Sequence, residues 1–169
     1  AGELRASGME AQAASILTLD SRALERGEIE GDEAVFFAIN GVWHDGHDFL
    51  NAAHKAGVRR FVVQKDPGFQ DSDVLVVPNP IVALQSLASV HRQRTKVPVV
   101  AITGSNGKTI VKEWAAALLA RKRPHRSPRS FNSQVGVPLS LWGLNAQQEL
   151  GIIEVGISEP GEMSALRSC

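Results

Sequence analysis

The strongest constraint on this chain is Gly104-Ser105-Asn106-Gly107-Lys108-Thr109, set between the apolar run Val99–Ile102 and an amphipathic segment over about residues 108–120. Strand, glycine turn, then helix with a lysine at its start is the context a phosphate-binding loop requires. The glycines let the backbone curl so that several N–H groups point inward, the helix N-terminus adds a partial positive charge, and Lys108 supplies a full one for the outer phosphates. Thr109 can offer its hydroxyl to Mg²⁺. The common spacing G-x-x-x-x-G-K-[ST] is not met, because Ile102 stands where its first glycine belongs, so this is a shorter variant. ATP or GTP binding is the leading reading. A dinucleotide site is disfavoured: G-x-G-x-x-G is missing, and such a loop needs no lysine at the helix start.

A loop of this kind belongs to an α/β fold, and the rest of the chain agrees. Residues 34–39, Arg60–Val63 and 74–77 read as buried strands, and residues 47–56 as a helix stopped by Gly57. The next helix has the clearest ends: Asn79 as N-cap, Pro80 at the first position, Ile81, Leu84, Ala88 and His91 at helical spacing, then Arg92, Arg94 and Lys96. A domain boundary is placed near Lys96. Beyond it, the segment after the loop is expected to pack Val111, Trp114, Ala115 and Leu118 on a sheet. Residues 150–155 read as a further strand, and residues 158–166 as the start of a helix. The expected organisation is an amino-terminal extension over residues 1–15, with Met9 a possible natural start; a small α/β substrate-binding domain over 16–96; and over 97–169 the truncated start of a P-loop, doubly wound ATP-binding domain. Such a domain needs more strands than these, so the chain is expected to be a fragment of a longer protein.

Composition excludes several classes. Lys+Arg and Asp+Glu are both 18, so the chain as a whole is no electrostatic match for nucleic acid or an anionic membrane. No run approaches the roughly 20 apolar residues of a spanning helix, and no secretory signal is evident. The single cysteine, Cys169, allows neither an intrachain disulfide nor a cysteine metal cluster, which favours a reducing, cytoplasmic setting. His44, Asp45, His47 and Asp48 crowd one turn without the further ligands a metal centre needs. The basic residues Arg121, Lys122, Arg123, Arg126 and Arg129 suit the end of the preceding helix rather than a nucleic-acid face. Trp43, Trp114 and Trp142 read as packing residues. Glu154 ends an apolar strand, where a nucleotide domain presents a carboxylate to Mg²⁺.

Thr103-Gly104-Ser105-Asn106-Gly107-Lys108-Thr109 resembles the T-G-x-N-G-K-T loop of the Mur ligases, the ATP-dependent amide-forming enzymes of peptidoglycan precursor synthesis. Asp20-Ser21-Arg22, Phe36-Phe37-Ala38 and Asp45-Gly46-His47-Asp48-Phe49 resemble the UDP-binding domain of the branch that adds D-alanyl-D-alanine. Asn132-Ser133-Gln134-Val135-Gly136-Val137-Pro138-Leu139, Glu154-Val155-Gly156 and Pro160-Gly161-Glu162 resemble that branch's central domain. The stretches around Gly104 to Trp114 and Arg126 to Gln134 look closest to bifunctional members fused to an alanine racemase, for which alone pyridoxal phosphate is expected, outside this chain. The resemblance implies joining of D-alanyl-D-alanine to UDP-N-acetylmuramoyl-tripeptide through an acyl phosphate, with ATP and Mg²⁺. It implies Gly104 to Thr109 on the nucleotide, Lys108 as the catalytic lysine, and Thr109 and Glu154 on Mg²⁺. Ser21, Arg22, Gly46 and His47 fall on the uridine diphosphate substrate, and Asn132 and Ser133 in the acceptor cleft. By the same resemblance, the lysine that such enzymes carbamylate is expected beyond Cys169. The residues themselves leave open a P-loop NTPase or kinase of unrelated function, a nucleotide-sensing module, or another Mur-type ligase.

Overall fold

A computed structural model describes residues 3–5, 14–41, 44–156, 162 and 166. The chain divides into two compact units, Ala1–Ala83 and Leu84–Cys169. In the first, β1 (Glu3–Arg5), β2 (Ile16–Thr18), β3 (Ala34–Phe37), β4 (Arg60–Val63) and β5 (Asp73–Val76) form one sheet of order β1-β5-β4-β3-β2. Strands β2 to β5 run parallel, and β1 adds antiparallel to β5 with Leu4 opposite Leu75. Part of the stretch predicted to be an extension is therefore an edge strand; three residues are too few for periodicity to detect. Met9 lies outside the described residues.

Helices α1 (Ser21–Glu25) and α2 (Leu50–Lys55) connect neighbouring parallel strands in the same direction along the sheet. Right-handed crossovers then put both on one face. The core bears this out: Leu24 of α1 and Leu50 and Ala53 of α2 pack with Ala34, Phe36, Phe61, Val63 and Val74, which alternate onto that face. The sequence predicts one helix over 47–56; in the structure a 3₁₀ turn over Gly46–Phe49 precedes α2, because the Asp45 carboxylate caps the turn by accepting from the His47 N–H.

Helix α3 (Pro80–Thr95) begins as predicted, with Asn79 Oδ1 accepting from the N–H groups of Ile81 and Val82. The division between units falls inside this helix and not near Lys96. Ala88 packs with Val97, Val137, Leu141 and Ile153 in the second core. Capping signals mark where a helix starts and ends; they carry no information on which core it joins.

The second unit holds β6 (Val99–Ile102), α4 (Lys108–Leu118), β7 (Pro124–Arg126), α5 (Gly136–Trp142) and β8 (Leu150–Glu154), a parallel sheet of order β6-β8-β7. The chain steps over the β8 position to reach β7 and then returns, so the direction reverses and the helices fall on opposite faces, the doubly wound arrangement. Alternation along β8 follows: Ile153 and the next odd residue, Val155, pack with Val137 and Leu141 of α5, and Glu154 points to α4. The predicted helix over 158–166 lies largely outside the described residues.

One expectation is overturned. Val111, Trp114 and Leu118 are 51%, 69% and 85% exposed, and the stripe of α4 that enters the interior includes Lys112 and Ala116. Thr109, Lys112 and Ala116 recur at i, i+3 and i+7, the spacing of one helix face. That face meets a buried carboxylate, so its first two positions are polar, and hydrophobicity alone selects the wrong side of the helix.

Candidate functional site

The loop between β6 and α4 owes its path to two glycines. Gly104 has φ 148° and Gly107 φ 77°, both in the region that L side chains rarely adopt. Gly107 opens α4 with no side-chain cap, so the helix start presents backbone donors to whatever lies above it. Lys108 reaches back over the loop and its Nζ donates to the Gly104 carbonyl at 2.7 Å. A cleft of about 370 Å³ opens here, lined by Ser105, Asn106, Gly107, Lys108, Thr109, Ile110, Ser130, Asn132 and Glu154.

Glu154 is 1% exposed, and both its carboxylate oxygens and its N–H are engaged. Its Oε2 accepts from Thr109 Oγ1 at 2.9 Å, its Oε1 from Asn132 Nδ2 at 2.8 Å, and its N–H donates to Ser127 Oγ at 2.9 Å. The parallel register sets this up: Glu154 pairs with Ile102 at the end of β6, one peptide from where the loop departs. Gly156 stands behind Asn132 and donates its N–H to the Asn132 carbonyl at 2.7 Å; a Cβ there would sit 3.0 Å from the Asn132 side chain.

The donor set decides which ions suit the cleft. Among the described residues no group of three His, Cys, Asp or Glu side chains converges, so an all-protein cage is not formed. A hydroxyl and a carboxylate, both hard oxygen ligands, lie beside backbone N–H donors and an ammonium. Mg²⁺ suits such a set, since it takes one or two protein oxygens, keeps waters and shares the oxygens of a phosphate.

The structure also adds residues that the sequence does not betray. Ser133, expected in the cleft with Asn132, turns its Oγ to accept from the Gly136 N–H at the start of α5. Lys112 is fully buried beneath the cleft, with its Nζ 3.8 Å from Glu154 Oε2. Ser127 and Ser130, on the segment leaving β7, complete the surroundings of the carboxylate and the cleft wall. Lys112 lies three residues after Thr109 on the same helix, a spacing that becomes informative only once Glu154 is placed against that helix.

In the first unit, residues 20–22 follow β2 and residues 45–47 follow β3, at the carboxyl ends of parallel strands, where open α/β sheets receive ligands. Asp20 caps α1 through the Arg22 N–H; Ser21 is buried, and the Arg22 side chain is 79% exposed. Gly46 packs so closely on Ile39 that a Cβ would fall 2.6 Å from its backbone nitrogen. His47 is fixed at both ring nitrogens: Nε2 accepts from the Gln64 N–H at 3.0 Å, so Nδ1 carries the proton and donates to Asp45 Oδ1 at 2.7 Å. The backbone and ring donors of His47 hold the Asp45 carboxyl below its ordinary pKa. His47 thus ties the turn after β3 to the end of β4, and its ring nitrogens are committed within the chain.

Of the remaining polar clusters, Lys122 and Arg123 pair with Glu149, and Arg126 pairs with Glu113. Trp142 lies against His91 with centroids 4.7 Å apart, a packing contact as predicted; Trp43 lies outside the described residues.

A reversing parallel sheet, a glycine loop entering a helix, a lysine over the loop and a threonine bound to a strand-end carboxylate define a P-loop nucleotide-binding α/β unit. Residues 102–169 match the Mur ligase middle domain, and over most of its length the chain is similar to ligases of that family. It is 32% identical over 152 residues to the UDP-N-acetylmuramoyl-tripeptide--D-alanyl-D-alanine ligase of Bacillus subtilis, a match covering 87% of this chain and 32% of that protein. With the ligase of the same name from Escherichia coli it shares 33% over 164 residues, 96% of this chain and 34% of that one. The MurF ligase of Thermotoga maritima, solved in complex with ADP, superimposes with a TM-score of 0.75 at 30% identity, over 94% of this chain and 36% of that one. MurF from Acinetobacter baumannii shares the fold with a TM-score of 0.85 at 24% identity, over 98% and 35%. The chain spans about a third of the length of these relatives.

Proposed function

We propose that this chain forms the UDP-substrate-binding and nucleotide-binding part of an ATP-dependent amide ligase that adds D-alanyl-D-alanine to UDP-N-acetylmuramoyl-tripeptide. The observation that carries the reading is the Thr109–Glu154–Asn132 hydrogen-bonded set beside a glycine loop that bears Lys108. The names of the relatives supply the substrate class, and the ADP complex of the Thermotoga maritima protein supports a nucleotide at the loop.

The chemistry proposed for the whole enzyme begins with a carboxylate, which is a poor electrophile. Transfer of the γ-phosphoryl group of ATP to the tripeptide carboxylate releases ADP and gives an acyl phosphate; the dipeptide amine attacks its carbonyl, and phosphate leaves with the C–O electrons. Two anions have to approach, and the charge spread over the transferring group needs fixed donors. Lys108 and the N–H groups at the start of α4 would supply them. Mg²⁺, when bound, would offset phosphate charge, with Thr109 and Glu154 as its protein ligands. Asn132 would hold the carboxylate in line, and residues 20–22 and 45–47 would meet the uridine diphosphate end of the substrate, chiefly through backbone donors and the Arg22 guanidinium. Because the proposed reaction consumes ATP, we place the enzyme in the cytoplasm. No helix among the described residues is long and apolar enough to cross a membrane.

Equilibrium titration of the chain with MgADP and, separately, with UDP-N-acetylmuramoyl-tripeptide tests the reading. Binding of both supports it. Binding of MgADP without the tripeptide substrate would transfer the chain to a P-loop NTPase or nucleotide-sensing role, and binding of neither would sink the site itself.

A further inference from the structure

Lys112 is a fully buried lysine that the proposed chemistry does not use. Its ammonium donates to the Ser127 carbonyl at 2.8 Å and to the Arg129 carbonyl, and lies 3.2 Å from Glu113 Oε1 and 3.8 Å from Glu154 Oε2. Burying an ammonium is costly unless its protons are all engaged and its charge matched. Here both conditions hold, and what engages it is the wall of the cleft. Residues 127–132 leave β7 and carry Ser127, whose Oγ accepts from the Glu154 N–H, then Ser130 and Asn132, which line the cleft. Within that segment Arg129 has φ 48°, a left-handed conformation that is unfavourable for a side-chain-bearing residue and persists where surrounding contacts hold it. The carbonyl of that same residue is one of the two bound by Lys112. The charges also alternate in space: Arg126, Glu113, Lys112 and Glu154 succeed one another, with Arg126 Nε 2.9 Å from Glu113 Oε2.

We infer that Lys112 is a positioning residue of the nucleotide site, which pins the 127–132 segment against α4 so that Asn132 and Ser130 stand opposite Lys108 and Thr109 across the cleft. It touches no nucleotide and acts through the wall it holds. The inference rests on the proposed reading of the cleft as a nucleotide site only for its consequence in binding; the pinning itself stands apart from it.

The test compares the unaltered chain with Lys112→Met, which keeps the length of the side chain without charge or donors, and Lys112→Arg, which keeps both. Amide hydrogen exchange reads the wall, with the Phe131 N–H, bonded to the Pro128 carbonyl, as reporter and the amides of β8 as the measure of global stability. Titration with MgADP reads the consequence. In Lys112→Met, exchange at Phe131 should rise at least tenfold beyond any change in β8, and MgADP should bind at least tenfold more weakly, with Lys112→Arg recovering part of both. If exchange accelerates equally in β8 and at Phe131, the lysine merely stabilises the fold and the inference is overturned; so it is if a folded Met variant binds MgADP within twofold of the unaltered chain. Should Lys112→Met not fold, Lys112→Gln, which retains a donor for one carbonyl, replaces it under the same criteria. Failure of the unaltered chain to bind MgADP would count against the nucleotide reading, and the exchange comparison would still decide whether Lys112 pins the wall.

Discussion

Two lysines one helical turn apart show how differently the same side chain can be employed. Lys108 sits over the loop with a single backbone partner, and Lys112 is enclosed and bound to two carbonyls between two carboxylates. Lys108→Ala should therefore leave stability within about 0.5 kcal/mol, as for a surface substitution, and weaken MgADP binding by roughly 30- to 150-fold, the loss of charge-assisted bonds worth about 2–3 kcal/mol. Chemical denaturation and calorimetric titration measure the two effects, and a large loss of stability with intact binding would contradict the assignment. Glu154→Gln should do the reverse in stability. It leaves the enclosed ammonium with Glu113 alone as counter-charge, at a cost of about 1–3 kcal/mol in urea unfolding. Lys108 was legible because a lysine after a glycine turn between strand and helix has a known chemical use. Lys112 was not, because in Thr109-Ile110-Val111-Lys112-Glu113-Trp114 it reads as an ordinary solvent-facing lysine, and only the position of Glu154 on the facing strand makes it otherwise. The same holds for His47, whose role as a tie between two turns depends on Gln64, 17 residues away.

At the level of elements, α4 tests what hydrophobic periodicity measures. The apolar stripe through Val111, Trp114 and Leu118 is exposed, and the stripe that faces the sheet passes through Thr109, Lys112 and Ala116. Trp114→Lys should change stability by no more than about 0.5 kcal/mol, whereas Ala116→Leu, forced against the sheet, should cost about 1–3 kcal/mol. Were Trp114 a core residue, its loss would cost about 3–5 kcal/mol, so thermal or urea unfolding of the two variants separates the alternatives. The element order was readable because each strand is a short apolar run bounded by turn residues. The inward face of α4 was not, because a helix beside a charged site buries polar groups that the periodicity argument assigns to solvent. The joint between β7 and α5 offers a second test. His125 Nε2–H donates to the Ser140 carbonyl at 2.7 Å, and burial pushes its pKa below the ordinary value of 6.5. The unfolded chain thus takes up a proton near pH 6.5 that the folded chain resists, so this residue's contribution to stability is intact above that pH and declines below it. Urea unfolding at pH 7.5 and at pH 5.5 should show a smaller fall for His125→Gln than for the unaltered chain; an equal fall would assign the pH dependence to other groups.

For the molecule as a whole, the informative fact is that each candidate site is built inside one unit. Residues 20–22 and 45–47 belong to the first unit and residues 104–109, 127–132 and 154 to the second, and the division between units falls in the first turn of α3. The sequence made the two units legible, since strand and helix signals restart around the glycine loop. The units meet at residues 83–84 and not near Lys96, since Ala88 of α3 packs in the second core, and the reading set aside Glu3–Arg5, whose pairing partner β5 lies some 70 residues later. A ligand that binds only the folded state protects what it orders: at a hundred times its dissociation constant it adds about 2.7 kcal/mol to the unit that holds it. MgADP should therefore slow amide exchange in β6, β8, the 104–109 loop and the 127–132 segment, and UDP-N-acetylmuramoyl-tripeptide should slow it around residues 20–22, 45–47 and 64. Exchange read by mass spectrometry with each ligand alone gives two maps, and the proposed division of labour requires that their maxima fall in different units. If the uridine diphosphate substrate instead protected the glycine loop most strongly, Lys108 and its helix would be its binding site, and the residues after β2 and β3 would lose the role assigned to them.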